Sequence, residues 1–403
     1  MKPVRDHLAH VLSAVTPLAP FEQELLAAHG TVLAADVTAP GPLPAFDNSA
    51  MDGYAVRAAD VAGASEANPA RLAVTGEVRA GSWEAGAVTE GTALRIMTGA
   101  PLPAGADTVI PQEWTDQGIA TVSITQGAER GRYVRRAGDD VAEGVVLLRA
   151  GQVLRAGEIG LLAAAGYGAV TVRPRPRVVV LSTGDELVEP GTALTPGKIT
   201  DSNSFALACA AREAGGLGSR AGAVSDDVDL LRTTLEDLTA RADLIVTSGG
   251  VSVGAYDVVK KALGKLGTVE FTRVAMQPGM PQGFGTIGPH DTPLFCLPGN
   301  PVSALVSFEV FVRPAIRKLA GFPELHRQAG RAAVATSFES PAGKRQFRPA
   351  VLEGSRVRPV GRGGSHQIAA YAEANALIVV PEEKTAVPQG AIVDIILLGS
   401  AIT

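Results

Sequence analysis

Cysteine is nearly absent from this chain, with two residues in 403, Cys209 and Cys296. A disulfide framework and a cysteine-built zinc site are excluded on count alone. Each cysteine lies in an apolar run, so both are expected to be buried thiols in a reducing compartment. Positive charge is not in excess either. The 36 Lys and Arg residues face 41 Asp and Glu, a net charge of −5. That balance lacks the basic footprint of nonspecific nucleic-acid binding. No apolar run reaches the 18 residues of a membrane span. Asp6 and His7 break the N-terminal apolar stretch where a signal peptide would have its core. A cytoplasmic protein with no membrane and no nucleic-acid partner is expected.

What the chain does have is the composition of an ordinary soluble protein, 46% hydrophobic and 19% charged. Its length suggests two to four domains. Its 46 glycines and 27 prolines are dispersed as turn punctuation rather than gathered in one tract. Val4, Leu8, Val11, Leu12 and Val15 recur at helical spacing, and Pro17 and Pro20 end that helix. A second short helix is predicted over Glu22–His29, stopped by Gly30. Residues 37–47 are too proline-rich for a regular element and read as an extended connector. From Asn48 to about Gly138, short β-like runs alternate with turns: Leu72–Thr75, Ala93–Met97, Thr108–Ile110 and Thr121–Ile124. Residues 145–172 return to a strand, a helix and a turn. Arg173-Pro-Arg-Pro-Arg177 is a stiff connector and a natural boundary.

Beyond it the grammar becomes strand, loop, helix, repeated as in an α/β domain. Val178–Leu181 runs into Ser-Thr-Gly-Asp-Glu186. Asp201-Ser-Asn-Ser204 offers N-caps to a helix over Phe205–Ala214. Asp226 and Asp227 precede a helix from Val228 to about Ala240. Leu244–Val246 is a short apolar run, typical of a strand covered on both faces, and it enters Thr247-Ser-Gly-Gly250. Pro293–Leu297 enters Pro298-Gly-Asn-Pro301 and a long helix to about Ala320. Residues 331–399 then alternate apolar and polar as a small all-β domain, a barrel or a sandwich.

Three strand ends therefore carry special loops: Thr183-Gly184-Asp185-Glu186, Thr247-Ser248-Gly249-Gly250 and Pro298-Gly299-Asn300-Pro301. If the strands are parallel, the loops open on one edge of the sheet, where open α/β sheets bind ligands. Glycine allows close backbone approach, and helix N-termini favour an anion such as a phosphorylated or nucleotide-like molecule. Any one of these loops could be an ordinary βα turn; three together point to a site. Asp185, Glu186, Asp226, Asp227 and Asp257 fall at loop positions beside the same strands. Carboxylates among phosphate-binding loops commonly hold a hard cation such as Mg²⁺. Asp227 reads as a helix cap, Glu186 and Asp257 as metal or ligand residues. In the N-terminal half, Asp52-Gly53 signals a turn, but a turn does not need Asn48, Ser49 and Asp52 together. Thr98 closes the run Arg95-Ile-Met-Thr-Gly-Ala-Pro101. Arg135 and Arg136, with Asp139 and Asp140, form either a solvated charge cluster or an oxyanion holder.

This set resembles the molybdopterin molybdenumtransferase family. The residues that carry the resemblance are Asn48–Tyr54, Arg95–Ala100, Thr183–Leu187, Thr247–Gly254, Leu297–Ser303 and Gly364-Ser365-His366, in the family's order across nearly the whole chain. The resemblance implies an α/β multidomain fold. Its parts are an N-terminal linker and dimerisation domain (1–47 with 138–172), a β-rich lateral domain (48–137), a central three-layer α/β domain with a mostly parallel sheet (173–322) and a C-terminal small β-barrel (323–403). It implies an L-shaped homodimer that converts adenylylated molybdopterin and molybdate into molybdenum cofactor, releases AMP and uses Mg²⁺. It also implies the molybdopterin adenylyltransferase as a partner. By motif, Asp52, Thr98 and Asp140 would act across the dimer from Glu186, Asp226 and Asp257, with Glu186 and Asp257 on the metal. Ser248, Gly249, Gly250 and Ser252 would line the pterin-nucleotide pocket with Thr183, Gly184 and Asp185. Pro298, Gly299, Asn300 and Pro301 would stand beside it, Ser365 on its approach, and Arg135 and Arg136 as substrate contacts.

Two departures from the family pattern bear on the oxyanion. Gln277 and Met280 stand where some members carry lysines, and Pro349 stands where an arginine is expected two residues after Phe347. Gln277 can still donate a hydrogen bond; Met280 cannot. Arg348 is adjacent, but alternation in a strand would turn it to the opposite face. Two rival readings remain. One is an adenylyltransferase acting on molybdopterin itself, which needs only the α/β domain. The other is a noncatalytic pterin-binding scaffold, which the lost lysines alone favour.

Overall fold

The computed structural model describes residues 1–82, 86–225, 227–250, 262–263 and 267–399. Its centre is a six-stranded sheet: β1 Arg177–Thr183, β2 Leu217–Val224, β3 Leu244–Ser248, β4 Glu270–Arg273, β5 Pro281–Ile287 and β6 Thr292–Leu297, in the order β2-β1-β3-β6-β5-β4. The first four in that order are parallel; β5 adds antiparallel to β6, and β4 antiparallel to β5. Pleating sends alternate residues of β1 and β3 to opposite faces. Val178, Val180, Leu244 and Val246 pack with Leu207 of the helix Asn203–Glu213 and with Phe308. Val179, Leu181 and Ile245 pack with Leu231, Leu235 and Leu238 of the helix Val228–Thr239. Two apolar faces, each covered by helices, make the domain three-layered. All five residues of β3 are buried for that reason.

The chain after β6 forms helix over Pro301–Ser307, a wide π turn over Phe308–Val312 and helix again over Arg313–Leu319. In the wide turn sits Glu309, buried, with its carboxylate gripped in bidentate fashion by Arg327 at 2.7 and 2.9 Å. Arg313 lies 3.9 Å from the same carboxylate, and burial pushes its pKa down to about 10. Arg327 precedes the C-terminal unit, so this ion pair clamps that unit's entry to the central helix.

The C-terminal strands Ala329–Val334, Arg345–Glu353, Arg356–Pro359, Ala376–Val380 and Ile392–Leu397 close on themselves, because Arg345–Glu353 pairs with both Arg356–Pro359 and Ala376–Val380. Of the two patterns the alternation allowed, the barrel forms, and closure leaves few edges to shield. Met276–Gln277 adds in parallel to the strand Arg345–Glu353, with Gln277 opposite Gln346. In the N-terminal half a five-stranded sheet runs 108–111, 53–56, 92–96, 70–78, 121–124. Phe21–Glu24 and Val32–Leu33 pair with Ala169–Arg173, and Val37–Thr38 pairs with Val146–Leu148.

Two expectations are corrected. Residues 22–24 are not helical: Phe21–Glu24 is a strand and only Leu25–Ala28 is helix. A distant partner strand satisfies the backbone there and overrides local propensity. Cys209 is exposed, because the helix Asn203–Glu213 buries positions 204, 207, 208, 210 and 211 and turns 209 outward. Cys296 is buried as expected, and burial raises its thiol pKa to about 12, which leaves it inert at neutral pH. Among the described residues, no helix is long and apolar enough to cross a membrane.

His7 gives the fold a pH dependence. It is 2% exposed, stacks edge-on against Phe311 at 4.7 Å and has no partner for Nδ1 among the described residues. Burial first, then Lys2 and His10, pull its pKa from 6.5 to about 4. The folded state thus favours the neutral ring, so this stability is complete above pH 6.5 and is lost as pH falls toward 4. At ~1.4 kcal/mol per unit the contribution is about 3 kcal/mol. His7→Leu is expected to leave urea stability at pH 7 within about 1 kcal/mol of wild type. The same variant should lose about 3 kcal/mol less than wild type between pH 7 and pH 4. Parallel pH slopes for the two proteins would refute this.

Candidate active site

The parallel register sets Ser182, Ser248 and Leu297 abreast at the C-terminal edge of the sheet, with Thr183 one position further on. The three loops therefore open together. Gly249 has φ +95°, and a Cβ on it would lie 2.5 Å from the Thr183 carbonyl oxygen and 3.0 Å from its hydroxyl. Only glycine lets these two loops touch. Gly250 also has positive φ, +71°. At Gly184 a Cβ would meet the Glu186 carboxylate at 2.5 Å, so that carboxylate folds back over its own loop. Thr183 is 5% exposed, and its hydroxyl has no hydrogen-bond partner among the described residues. A buried unpaired hydroxyl costs about 1–3 kcal/mol, which a bound donor or acceptor would relieve.

Asn203 holds the opening together. Its amide nitrogen donates to Ser248 Oγ at 2.8 Å and to the Gly299 carbonyl at 2.7 Å. Ser248, 2% exposed, turns its hydroxyl into this contact and toward the Pro298 carbonyl at 3.4 Å. Asn300 donates to Ser365 Oγ at 3.0 Å, and the Val302 N–H to the Ser365 carbonyl at 3.0 Å. The loop around Ser365 is thereby seated on the Pro298–Pro301 loop. Two N–H groups expected to face an anion are already used: that of Val302 by Ser365, and that of Gly249 by the Leu297 carbonyl at 3.1 Å. Asp227 caps the helix Val228–Thr239, accepting from the Leu230 N–H at 2.8 Å. Asp226, Ser252 and Asp257 lie outside the described residues.

A narrow cleft adjoins this opening where the barrel meets the central domain. Gln277, Gln346, Arg348, Pro349, Gly363 and Gly364 are among its walls. Burial does not alternate along the strand, where Gln346, Phe347, Pro349 and Ala350 are all buried, and Arg348 is not lost to the cleft. Its long side chain reaches the glycine loop, donating to the Gly361 carbonyl at 3.4 Å and lying 3.5 Å from where a Gly363 Cβ would be. No carboxylate lies within ion-pair distance of it among the described residues, and burial lowers its pKa. Among the described residues, the side-chain oxygen of Gln346, 6% exposed, has no hydrogen-bond partner, and Arg348 Nε lacks one too. Met280 lies with its sulfur 3.5 Å from Arg273 and does not line the cleft.

The N-terminal candidates form a separate cluster. Asp52 accepts the Thr98 N–H at 2.7 Å, and that bond holds its carboxyl below the ordinary range. Asp47 accepts the Ala137 N–H at 2.8 Å and Arg136 at 2.5 Å, and it is lowered likewise. Arg136 is thus neutralised by Asp47, while Arg135 is exposed on the short strand Val134–Arg135 opposite Asn48–Ser49. Asp140 is exposed, its N–H tied to the Leu43 carbonyl at 3.0 Å. Held as carboxylates, Asp52 and Asp47 accept hydrogen bonds and do not donate. Among the described residues, no recorded hydrogen bond joins this cluster to the strand-end loops.

Comparison with known proteins decides the family. Residues 2–166 match the MoeA N-terminal region (domain I and II), 179–318 a probable molybdopterin binding domain and 331–398 the MoeA C-terminal region (domain IV). The chain is 46% identical over 398 residues to molybdopterin molybdenumtransferase 2 of Mycobacterium tuberculosis, covering 97% of this chain and 98% of that one. The chain belongs to the molybdopterin molybdenumtransferase family. As a member it is a transferase of molybdenum cofactor biosynthesis. The molybdopterin molybdenumtransferase of Bacillus subtilis is 36% identical, over 91% of this chain and 87% of that one. A crystal structure of a molybdopterin biosynthesis MoeA protein from Pyrococcus horikosii superposes with a TM-score of 0.84 at 34% identity, covering 99% of both chains. The family's multidomain architecture is that seen here, including the closed five-stranded barrel. Asn203, Asp201, Gln346 and Arg348 are the site residues that sequence reasoning missed.

Proposed function

We propose that this transferase inserts molybdenum into adenylylated molybdopterin, taking molybdate and releasing AMP, as a cytoplasmic homodimer. The observation that carries this is the joining of two unlike sites. A glycine-loop opening, suited to a pterin nucleotide, is tied through the Asn300–Ser365 and Val302–Ser365 bonds to the edge of a narrow cleft, whose walls include Val302, Gly364 and the half-buried Arg348, a guanidinium with no ion-pair partner among the described residues. A nucleotide and a small oxyanion are the two reactants such a pair would bring together. Binding them side by side converts a two-reactant step into one of fixed geometry.

In this reading Thr183, Gly249 and Gly250 seat the nucleotide part, and Arg348, Gln277 and Gln346 hold the oxyanion. Arg348 is the cation that remains where Gln277, Met280 and Pro349 supply none. No cluster of three or more metal-binding side chains occurs among the described residues. The exposed carboxylate of Glu186 nonetheless suits Mg²⁺, which binds through one or two carboxylates, substrate phosphates and water. Glu186, with Asp257, would hold that ion, and it would offset the charge of two anions brought together. Asp52, Thr98 and Asp140, with Arg135 and Arg136, would act from the second subunit. The adenylyltransferase that makes the nucleotide is the natural supplying partner.

Arg348→Ala tests the oxyanion assignment. A charge-assisted hydrogen bond contributes about 1.5–3 kcal/mol, so half-saturation by molybdate should rise roughly tenfold or more. Pterin-nucleotide affinity should stay unchanged, and Arg348→Lys should recover part of the loss. An unaltered molybdate dependence in the alanine variant would remove Arg348 from the site.

A further inference from the structure

We infer that Asn203 is a positioning residue for this reaction, a latch that sets the spacing of the two loops receiving the pterin nucleotide. The inference rests on the function proposed above. Both hydrogens of the Asn203 amide are used, one on the hydroxyl of Ser248 and one on the carbonyl of Gly299. The amide orientation is fixed by chemistry. A carbonyl only accepts, so nitrogen and not oxygen must face Gly299. One side chain thus ties the end of β3 to the loop after β6.

The latch has its own foundation. Asp201, 1% exposed, accepts from Ser182 Oγ at 2.9 Å, from the Ser204 N–H at 3.1 Å and from Ser204 Oγ at 2.5 Å. Arg220 adds bonds to Ser204 Oγ at 2.6 Å and to Asp201 at 3.4 Å. Ser182 belongs to β1, so Asp201 pins the start of the helix Asn203–Glu213 to the end of that strand. Asn203 therefore leaves from a fixed base on β1 and reaches the other two strand ends. All three parallel strand ends that bear loops are locked through residues 201–204. A carboxylate in place of the amide would press oxygen against the Gly299 carbonyl and open the latch without creating a cavity.

Asn203→Asp is the test, with steady-state kinetics in pterin nucleotide and in molybdate, equilibrium binding of the pterin nucleotide and thermal denaturation. Loss of the bond to the Gly299 carbonyl, about 0.5–1.5 kcal/mol, together with the oxygen–oxygen repulsion that replaces it, corresponds to a KM for the nucleotide raised roughly tenfold. The kcat and the molybdate dependence should change less than about threefold, since the latch acts on ground-state and transition-state binding alike. Ser248→Ala should show the same kind of KM rise, and the double variant should be no worse than Asn203→Asp alone, because both break one contact. An unchanged nucleotide KM would overturn the inference. So would a fall in kcat at constant KM, or additive effects of the two substitutions. If the wild-type protein binds the nucleotide but does not turn it over, the proposed function fails, and the binding constants of the two proteins still decide the latch.

Discussion

Replacing Gly249 with alanine is expected to cost this protein at least about 30-fold in turnover at subsaturating pterin nucleotide. The backbone there is left-handed, which an L side chain adopts at a cost of roughly 1–2 kcal/mol. The added methyl would stand 2.5 Å from the Thr183 carbonyl, inside any permitted contact, so the two loops must part. Forced overpacking of this kind adds about 1–3 kcal/mol. Both costs fall on the wall of the opening and on no part of the core. Global urea stability should therefore fall by less than the activity loss implies. Gly144→Ala is the control, since it shares positive φ but has open space around its Cβ. A variant at 249 with full activity would show that the two loops do not form one wall.

Glu309→Ala is expected to be the most destabilising single change at a charged position, at about 3–5 kcal/mol. The carboxylate is buried in the wide turn, and its removal leaves Arg313 without its ion-pair partner and Arg327 with only the exposed Glu213, 3.0 Å away. Against the total stability of an ordinary domain, roughly 5–15 kcal/mol, this is a large fraction. The effect arises from the unpaired Arg313 and the half-paired Arg327, not from the pair's net contribution. Glu309→Met combined with Arg327→Met should recover at least half of the loss, because apolar replacements of similar volume fill the same space. Chemical denaturation of the three proteins checks both parts. A double variant as unstable as Glu309→Ala would mean that packing or the remaining Arg313, and not the Arg327 charge, set the cost.

The parts of the fold that were legible in the sequence are those fixed by local chemistry. The apolar runs at Val178–Leu181, Leu244–Val246 and Pro293–Leu297 each become a central strand, and the glycine-rich loops that follow them do converge. Asp227 caps its helix as its position before an apolar-periodic run predicts. What was not legible depends on partners far along the chain. Phe21–Glu24 looks helical until Ala169–Arg173 pairs with it. Asn203 looks like one of several interchangeable caps, and its partners Ser248 and Gly299 lie 45 and 96 positions away. Arg348 was assigned away from the cleft by strand alternation, which describes where a Cβ points and not how far a guanidinium reaches. Loss of a basic residue at position 349 is therefore not loss of charge in the cleft.

The central claim is that the glycine-loop opening and the arginine-lined cleft serve one reaction. The most direct measurement is AMP release from adenylylated molybdopterin by the wild-type protein with Mg²⁺, with and without molybdate, followed by chromatography. The account predicts AMP and molybdenum cofactor formed in equal amounts, with cofactor formation saturating in molybdate. Binding of the nucleotide with no AMP released under any molybdate concentration would contradict it and leave a pterin-binding scaffold.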